Sequence, residues 1–294
     1  MTTPNTDGMH LSVSRETYDR IERTNSTLLR HLQRSPKHYE AQLTRKAAGA
    51  TESQRIGKAV HIATLEPERF RATYAVWEGE RRDGKKWDAF KANNRGFEIL
   101  KENEYQLVQS IANAALSDPR AAKYLSGGAA EATLLWTHVE PATLGSGGFS
   151  IECKARLDMV HAGTAIVDLK TTRDASPKAF SSQCFDLGTH IQLAMYQDAY
   201  AATNGGEILP VKVVAVENRS PFVVQVYSMD DEILELGRIT YRGLLQTLAC
   251  CRNTGRYRGY YDGELELELP RWARPATDED ADGLGVEFSE ADAA

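Results

Sequence analysis

Apolar positions along this 294-residue chain alternate between helical and strand-like spacing, and the changes of period divide it into elements. Residues 1–24 are polar, which predicts a loosely ordered N-terminal segment. From Asn25 the run NSTLLRHLQRSPKHYEAQL predicts a helix capped at Asn25 or Ser26. It breaks at Ser35–Pro36, because proline disfavours helix at the residue before it, and then resumes. Ile56, Val60, Ala63 and Leu65 form a helical stripe that Glu66–Pro67 ends. Residues 71–98 are charged and glycine-bearing, so they predict a loop or flap. A long helix is expected from Glu98 to about Leu116 and a shorter one around Arg120–Leu125, closed by Gly127–Gly128.

The second half turns to strands. Glu131 opens the run EATLLWTHV, and GSGG at 145–148 predicts a flexible connection. IECKARLDMVHAGTAIVDLKTT, from Ile151 to Thr172, reads as two strands joined by a turn at His161, Ala162 and Gly163. Residues 173–186 are expected to be a connection. HIQLAMYQDAYAA, from His190, has a helical pattern; LPVKVVAVEN and PFVVQVYSM read as strands. A last helix is expected from Asp230 to about Arg252. Pro270 and Pro275 lead into a tail too polar to fold alone. The division is a flexible segment over 1–24, one domain over 25–270 and an acidic, disordered tail over 271–294.

Charge changes this picture in one place. The formal net charge of −6 argues against a polyanionic partner, yet the last nineteen residues hold seven acids and no Lys or Arg. Without them the net charge is +1. Basic pairs at Arg45–Lys46, Arg81–Arg82 and Lys85–Lys86 then offer a path for a polyanion, or an ordinary solvated face. Trp87 and Phe90 beside them have the chemistry to stack on bases, or to pack back on the protein. No apolar run approaches the ~20 residues of a membrane helix. Four cysteines without a C-x-x-C pair predict reduced thiols and a cytoplasmic protein. No phosphate-binding loop motif is present, which excludes a nucleotide-powered helicase within the chain.

The chemistry concentrates in the central hairpin. Side chains at i and i+2 of a strand share a face, so Asp168 and Lys170 point together and Leu169 points away. A hairpin register that sets Asp158 beside Asp168 puts two carboxylates and an ammonium at one spot. That set suits a divalent-metal hydrolase, with oxygens for Mg²⁺ or Mn²⁺ and a cation for a water or developing charge. The bland alternative is a surface ion pair of little worth. His61 is by itself an ordinary helix histidine, and Glu131 an edge-strand charge.

Four ordered motifs bear on that choice: G-x-x-x-H-x-x-x-L-E-P around His61, Arg156-Leu157-Asp158, Asp168-Leu169-Lys170-Thr171-Thr172, and Gln192-x-x-x-Tyr196. Together, over roughly residues 10–263, they resemble the PD-(D/E)xK nuclease superfamily, specifically its RecB-like exonuclease VIII (RecE C-terminal) branch. The departures are Leu157 where relatives carry proline and Tyr257 where a tryptophan is usual.

The resemblance implies an α/β fold with a mixed central sheet flanked by helices. It implies a metal-dependent exonuclease that degrades one strand of a DNA duplex 5′→3′ from its end, leaving 3′ single strands. Asp158, Asp168, the Leu169 carbonyl and His61 would hold two Mg²⁺ or Mn²⁺ ions. Lys170 would act on the attacking water, Glu131 would help position it, and Gln192 and Tyr196 would lie beside the scissile phosphate. Arg30, Ser35, Lys37, Lys85, Lys86, Arg156 and Arg173 would contact DNA. Implied partners are duplex ends, a single-strand annealing recombinase and further copies of the chain in a ring, in a bacterial or phage-infected cell. The rivals are a structure- or site-specific endonuclease of the same superfamily and a non-catalytic DNA-binding relative.

Overall fold

The computed structural model describes residues 4–44, 49, 51–142, 147–270 and 273. The first half runs β1 (Gly8–His10), α1 (Arg15–Arg20), α2 (Ser26–Arg34), α3 (Pro36–Thr44), α4 (Glu52–Leu65), α5 (Pro67–Thr73), β2 (Tyr74–Trp77), α6 (Gly84–Asn93), β3 (Glu98–Lys101), α7 (Glu102–Ser117) and α8 (Pro119–Leu125). The second runs β4 (Ala129–Glu140), β5 (Phe149–His161), β6 (Ala165–Thr172), α9 (Pro177–Asp186), α10 (Thr189–Thr203), β7 (Val211–Glu217), β8 (Val224–Ser228) and α11 (Asp231–Thr254).

Six strands form one sheet in the order β1-β4-β5-β6-β7-β8. Only β6 and β7 run parallel, with α9 and α10 making the crossover that parallel neighbours require. Alternation along the central strands explains why both faces are covered. Ile166 of β6 and Val211, Val213 and Ala215 of β7 pack with α2, α3, α9, α10 and α11. The intervening Val167, Leu169, Val214 and Val216 pack with α4, α5, α7 and α8. A strand buried on both sides reads as a nearly continuous aliphatic run, as IVDL and VKVVAV do. The result is a mixed sheet between two helical layers. No helix of the described residues is long and apolar enough to cross a membrane.

Four expectations are corrected. Residues 4–24 are ordered: β1 pairs antiparallel with β4, and Asp7 accepts from the Thr137 amide at 2.8 Å. The buried Lys154 ammonium donates to the carbonyls of Tyr18 and Ile21, each at 2.8 Å. All these partners lie more than a hundred residues away, so no local pattern announced the order. Residues 71–98 are not a loop. Tyr74–Trp77 and Glu98–Lys101 make a two-stranded parallel ribbon around α6. The long helix therefore starts at Glu102 rather than Glu98, and residues 177–186 form α9 within the expected connection.

The chain divides into two compact units after Tyr257. Gly255 ends α11 in the left-handed region at φ 65°, a conformation that favours glycine. Residues 258–270 carry no helix or strand, and Arg258 pairs with Asp262 at 2.9 Å. Arg45–Lys46, part of the GSGG connection and the acidic run of the tail lie outside the described residues.

Candidate active site and metal centre

One backbone irregularity builds the site. Ala132, Leu134 and Trp136 of β4, with Ile151, Cys153, Ala155 and Leu157 of β5, pack on the α10–α11 side. Ala130 and Met159 pack on the opposite side. Residues two apart in a regular strand share a face, so both strands change phase between these positions. The change falls at Glu131 and Asp158, which face each other in the register but are not paired. Glu131 has φ 52°, a strained conformation for a side-chain-bearing residue. The kink turns the carboxylates of Glu131 and Asp158 into a cavity of about 480 Å³.

The β5–β6 ladder ends beside this kink, at Met159↔Val167. Continuing its register sets Asp158 opposite Asp168, but the strands have parted. The Leu169 amide, left without its ladder partner on that side, donates to Asp158 Oδ2 at 2.8 Å. His61 of α4 brings Nδ1 to 3.5 Å from the same oxygen. Ligand atoms of His61, Glu131 and Asp158 all lie within 4.8 Å of one another. Asp168, 1% exposed, lies one strand over with Lys170 Nζ 2.7 Å from its Oδ2. No donor is aligned for a hydrogen bond to either of its oxygens. Lys170 also donates to Gln192 Oε1 at 3.5 Å, and Gln192 Nε2 donates to the Tyr196 hydroxyl at 2.8 Å. Gln192 and Tyr196 lie four apart on α10, one helical turn, so both reach the cavity.

Burial and mutual attraction pull the titrating groups in different directions. Burial alone would raise the Asp158 carboxyl, but His61, Lys170 and the Leu169 amide outweigh it and hold it below the ordinary range. Burial also raises Asp168, and there Asp158 adds to it while Lys170 only partly opposes; the net shift is upward. For His61 and Lys170 burial favours the neutral form, yet the neighbouring carboxylates prevail and both are raised. Burial pushes the Tyr196 phenol well up, so it stays protonated. The site thus pairs an ionised Asp158 with an Asp168 whose charge is poorly compensated.

That shortfall is the test of fit for a divalent cation. Asp168 has two buried oxygens with no aligned hydrogen-bond donor and only the Lys170 ammonium as ion-pair partner, and three further oxygen or imidazole ligands converge nearby. Hard cations take such carboxylate-rich sets, with imidazole as a minority partner. The residues present fit a metal. The convergent set differs from the sequence expectation in containing Glu131, while Asp168 lies against Lys170.

Of the residues expected at the site, His61, Glu131, Arg156, Asp158, Lys170, Gln192 and Tyr196 line the one cavity. Arg156 is committed within it: the guanidinium pairs with Glu131 and donates to the Val13 carbonyl at 2.8 Å. Asp168, Leu169, Arg30, Ser35, Lys37, Lys85, Lys86 and Arg173 are not on the cavity wall. The Ser35 hydroxyl sits 2.7 Å from His38 Nδ1 at the start of α3, and Lys37 pairs with Glu40 at 2.8 Å. Trp87 and Phe90 pack on Trp77, with ring centroids 5.3 and 5.1 Å away, so these aromatics turn to the protein.

Sequence reasoning missed other parts of the wall. Gln54 and Lys58 share the His61 face of α4, at i−7 and i−3, a spacing the sequence does display. Arg15 and Tyr18 come from the segment expected to be loose. No sequence signal marks them, because the tertiary contacts of α1 bring them there.

Comparison with known proteins agrees with this geometry. The family described as a PDDEXK-like domain of unknown function (DUF3799) matches residues 25–263. The crystal structure of a "putative exonuclease" from Eubacterium rectale superposes with a TM-score of 0.53 at 15% identity. It covers 89% of this chain and 97% of its own, a likeness that speaks to fold alone. A second solved structure, SSO0001, covers 74% of this chain at 14% identity, but its TM-score of 0.25 carries no argument. No curated protein matches the sequence. The mixed sheet, the two helical layers and the match over most of the chain agree: this chain belongs to the PDDEXK-like family.

Proposed function

We propose that the protein is a divalent-metal-dependent nuclease hydrolysing phosphodiester bonds in DNA, and specifically an exonuclease that enters duplexes at their ends. The observation that carries this reading is the convergence of Asp158, Lys170, His61 and Glu131 on one cavity, with the buried Asp168 paired to Lys170. A cation bound by these side chains supplies Lewis-acid polarisation of a phosphate oxygen and a more acidic water. The protein's own groups do the rest. Lys170, fixed between Asp168 and Gln192, presents an ammonium to the charge that develops on phosphate. Gln192 occupies the Tyr196 oxygen as acceptor, so the phenol proton is left to donate into the cavity. Arg156 holds the Glu131 carboxylate against the kinked backbone.

Degradation 5′→3′, release of 3′ single strands to an annealing recombinase, the use of Mg²⁺ or Mn²⁺ and assembly into a ring are the finer parts of this proposal. They rest on the exonuclease VIII resemblance of the four motifs. The test is digestion of a linear duplex labelled at its 5′ or its 3′ ends, beside supercoiled circular DNA. Release of 5′ label as mononucleotide with the circle intact is expected. Cleavage of the circle would replace the exonuclease by an endonuclease, and no metal-dependent cleavage of either would leave a binding protein.

His61 supplies a separate check. Removing one ligand leaves the carboxylates in place, so His61→Ala should raise the metal concentration for half-maximal activity by about tenfold or more. DNA affinity in EDTA should stay unchanged. A metal titration that superimposes on wild type would reduce His61 to a packing residue.

A further inference from the structure

Five cations line the cavity, and each has an acid beside it. Two of these acids, Asp168 and Glu131, belong to the chemistry already described. Arg15–Asp19 and Arg69–Glu66 are pairs at i,i+4 and i,i+3, local contacts that helix surfaces form routinely. Lys58 is different. Its acid is Glu98, forty residues on, at the first position of β3 in the ribbon that packs on α5 and α7. A cavity-wall cation is therefore latched to a separate element.

Lys58 sits one turn before His61 on the same face of α4, so its stem starts beside the candidate metal ligands. That stretch of α4 lies against β6: a methyl on Gly57 would make an ordinary contact with Thr171 Oγ1 at 3.6 Å. The Lys58 and Glu98 side chains are 48% and 41% exposed. An exposed pair of this kind is worth at most a factor of about five in equilibrium terms. A phosphate is a stronger partner than a solvated carboxylate for an ammonium on a flexible four-carbon stem. The ribbon with α6 carries lysines and arginines of its own, but the group it offers at this point is an acid.

We propose that Lys58 is a substrate-phosphate contact of the site, held by Glu98 until a DNA backbone displaces the carboxylate. The inference rests on the nuclease reading for the identity of its substrate. It makes Lys58 a substrate-binding residue and Glu98 the competitor for its ammonium, so the effects of the two must be coupled.

A double-mutant cycle tests this. Wild type, Lys58→Ala, Glu98→Gln and the double variant are titrated with a labelled, 5′-phosphorylated blunt duplex in EDTA, between about 50 and 200 mM salt. Lys58→Ala should weaken binding about fivefold at the low end and lessen the salt slope by about one phosphate contact. Lys58→Arg should keep the slope. Glu98→Gln should tighten binding about two- to fivefold, the worth of an exposed pair, and should do nothing once Lys58 is alanine. Equal tightening by Glu98→Gln in both backgrounds would overturn the latch, since removal of any nearby negative charge would explain it. An unchanged slope in Lys58→Ala would overturn the contact. Digestion by wild type is scored separately: no hydrolysis with an intact cycle overturns the nuclease reading alone, and hydrolysis with a flat cycle overturns the Lys58 assignment alone.

Discussion

Asp168→Asn and Lys170→Ala should each lower DNA hydrolysis by a factor of about 10²–10³ or more, the loss typical when one group that stabilises developing charge is removed from an active site. Duplex binding in EDTA should remain. The two variants differ in what they do to the fold. The folded-state pKa of Asp168 is raised, by burial first and by Asp158 second, with the Lys170 attraction already included. An acid with a raised folded pKa favours folding only while protonated. Its penalty is absent below the unfolded value, grows as pH rises from the unfolded to the folded value, and is fully present above the folded value. Asp168→Asn removes a charge that destabilises the metal-free protein near neutral pH. Its Tm at pH 7 should therefore equal or exceed that of wild type, and the difference should vanish at pH values below the ordinary carboxylate range. A functional group that costs stability is the common form of the stability–activity trade-off. Near-wild-type turnover by either purified variant would remove the catalytic assignment. A clear fall in Tm for Asp168→Asn would show that the pair is structural.

Gly237→Ala should destabilise the protein by about 3 kcal/mol, at the upper end of overpacking effects. Gly237 is buried on α11 where it crosses α10, and a Cβ built there meets the His190 carbonyl oxygen at 2.3 Å and its carbon at 2.8 Å. The obstacle is backbone, which has no rotamer to change. Relief requires the two helices to separate, and α10 carries Gln192 and Tyr196. Activity should fall along with stability, although Gly237 is not on the cavity wall. Gly243, six residues further on the same helix, is the control. Nothing lies within 4 Å of a Cβ at that position, so Gly243→Ala should stabilise the helix, by up to about 1 kcal/mol. Chemical denaturation of both variants measures the contrast. Equal effects of one sign would mean that the helix crossing does not depend on the missing side chain.

The chemistry of the hairpin was legible early because strand periodicity is strict. Asp168 and Lys170, two apart, had to share a face, and the antiparallel register continued past Met159↔Val167 sets Asp158 toward Asp168, although the strands part there. The helix positions of His61, Gln192 and Tyr196 followed from a 3.6-residue period in the same way. The ribbon at 74–101 was not legible. Its two strands have only four residues each and pair in parallel across an intervening helix, so neither carries a period long enough to stand out against a charged background.

The sequence by itself determined which residues carry reactive groups, which face of each element they occupy and where the aliphatic strands of the core lie. All of that is local, set by side-chain direction and apolar spacing within a few residues. Tertiary structure alone decided that Glu131 joins His61 and Asp158, because its turn toward the cavity depends on a left-handed backbone at the phase change between two strands. It alone decided that Arg156 is spent on Glu131, and that Lys154 draws the N-terminal residues over the cavity to add Arg15 and Tyr18 to its wall. Burial of a charge demands a partner, and that partner can come from anywhere in the chain. The sequence shows that the charge exists; only the packed fold shows which group answers it.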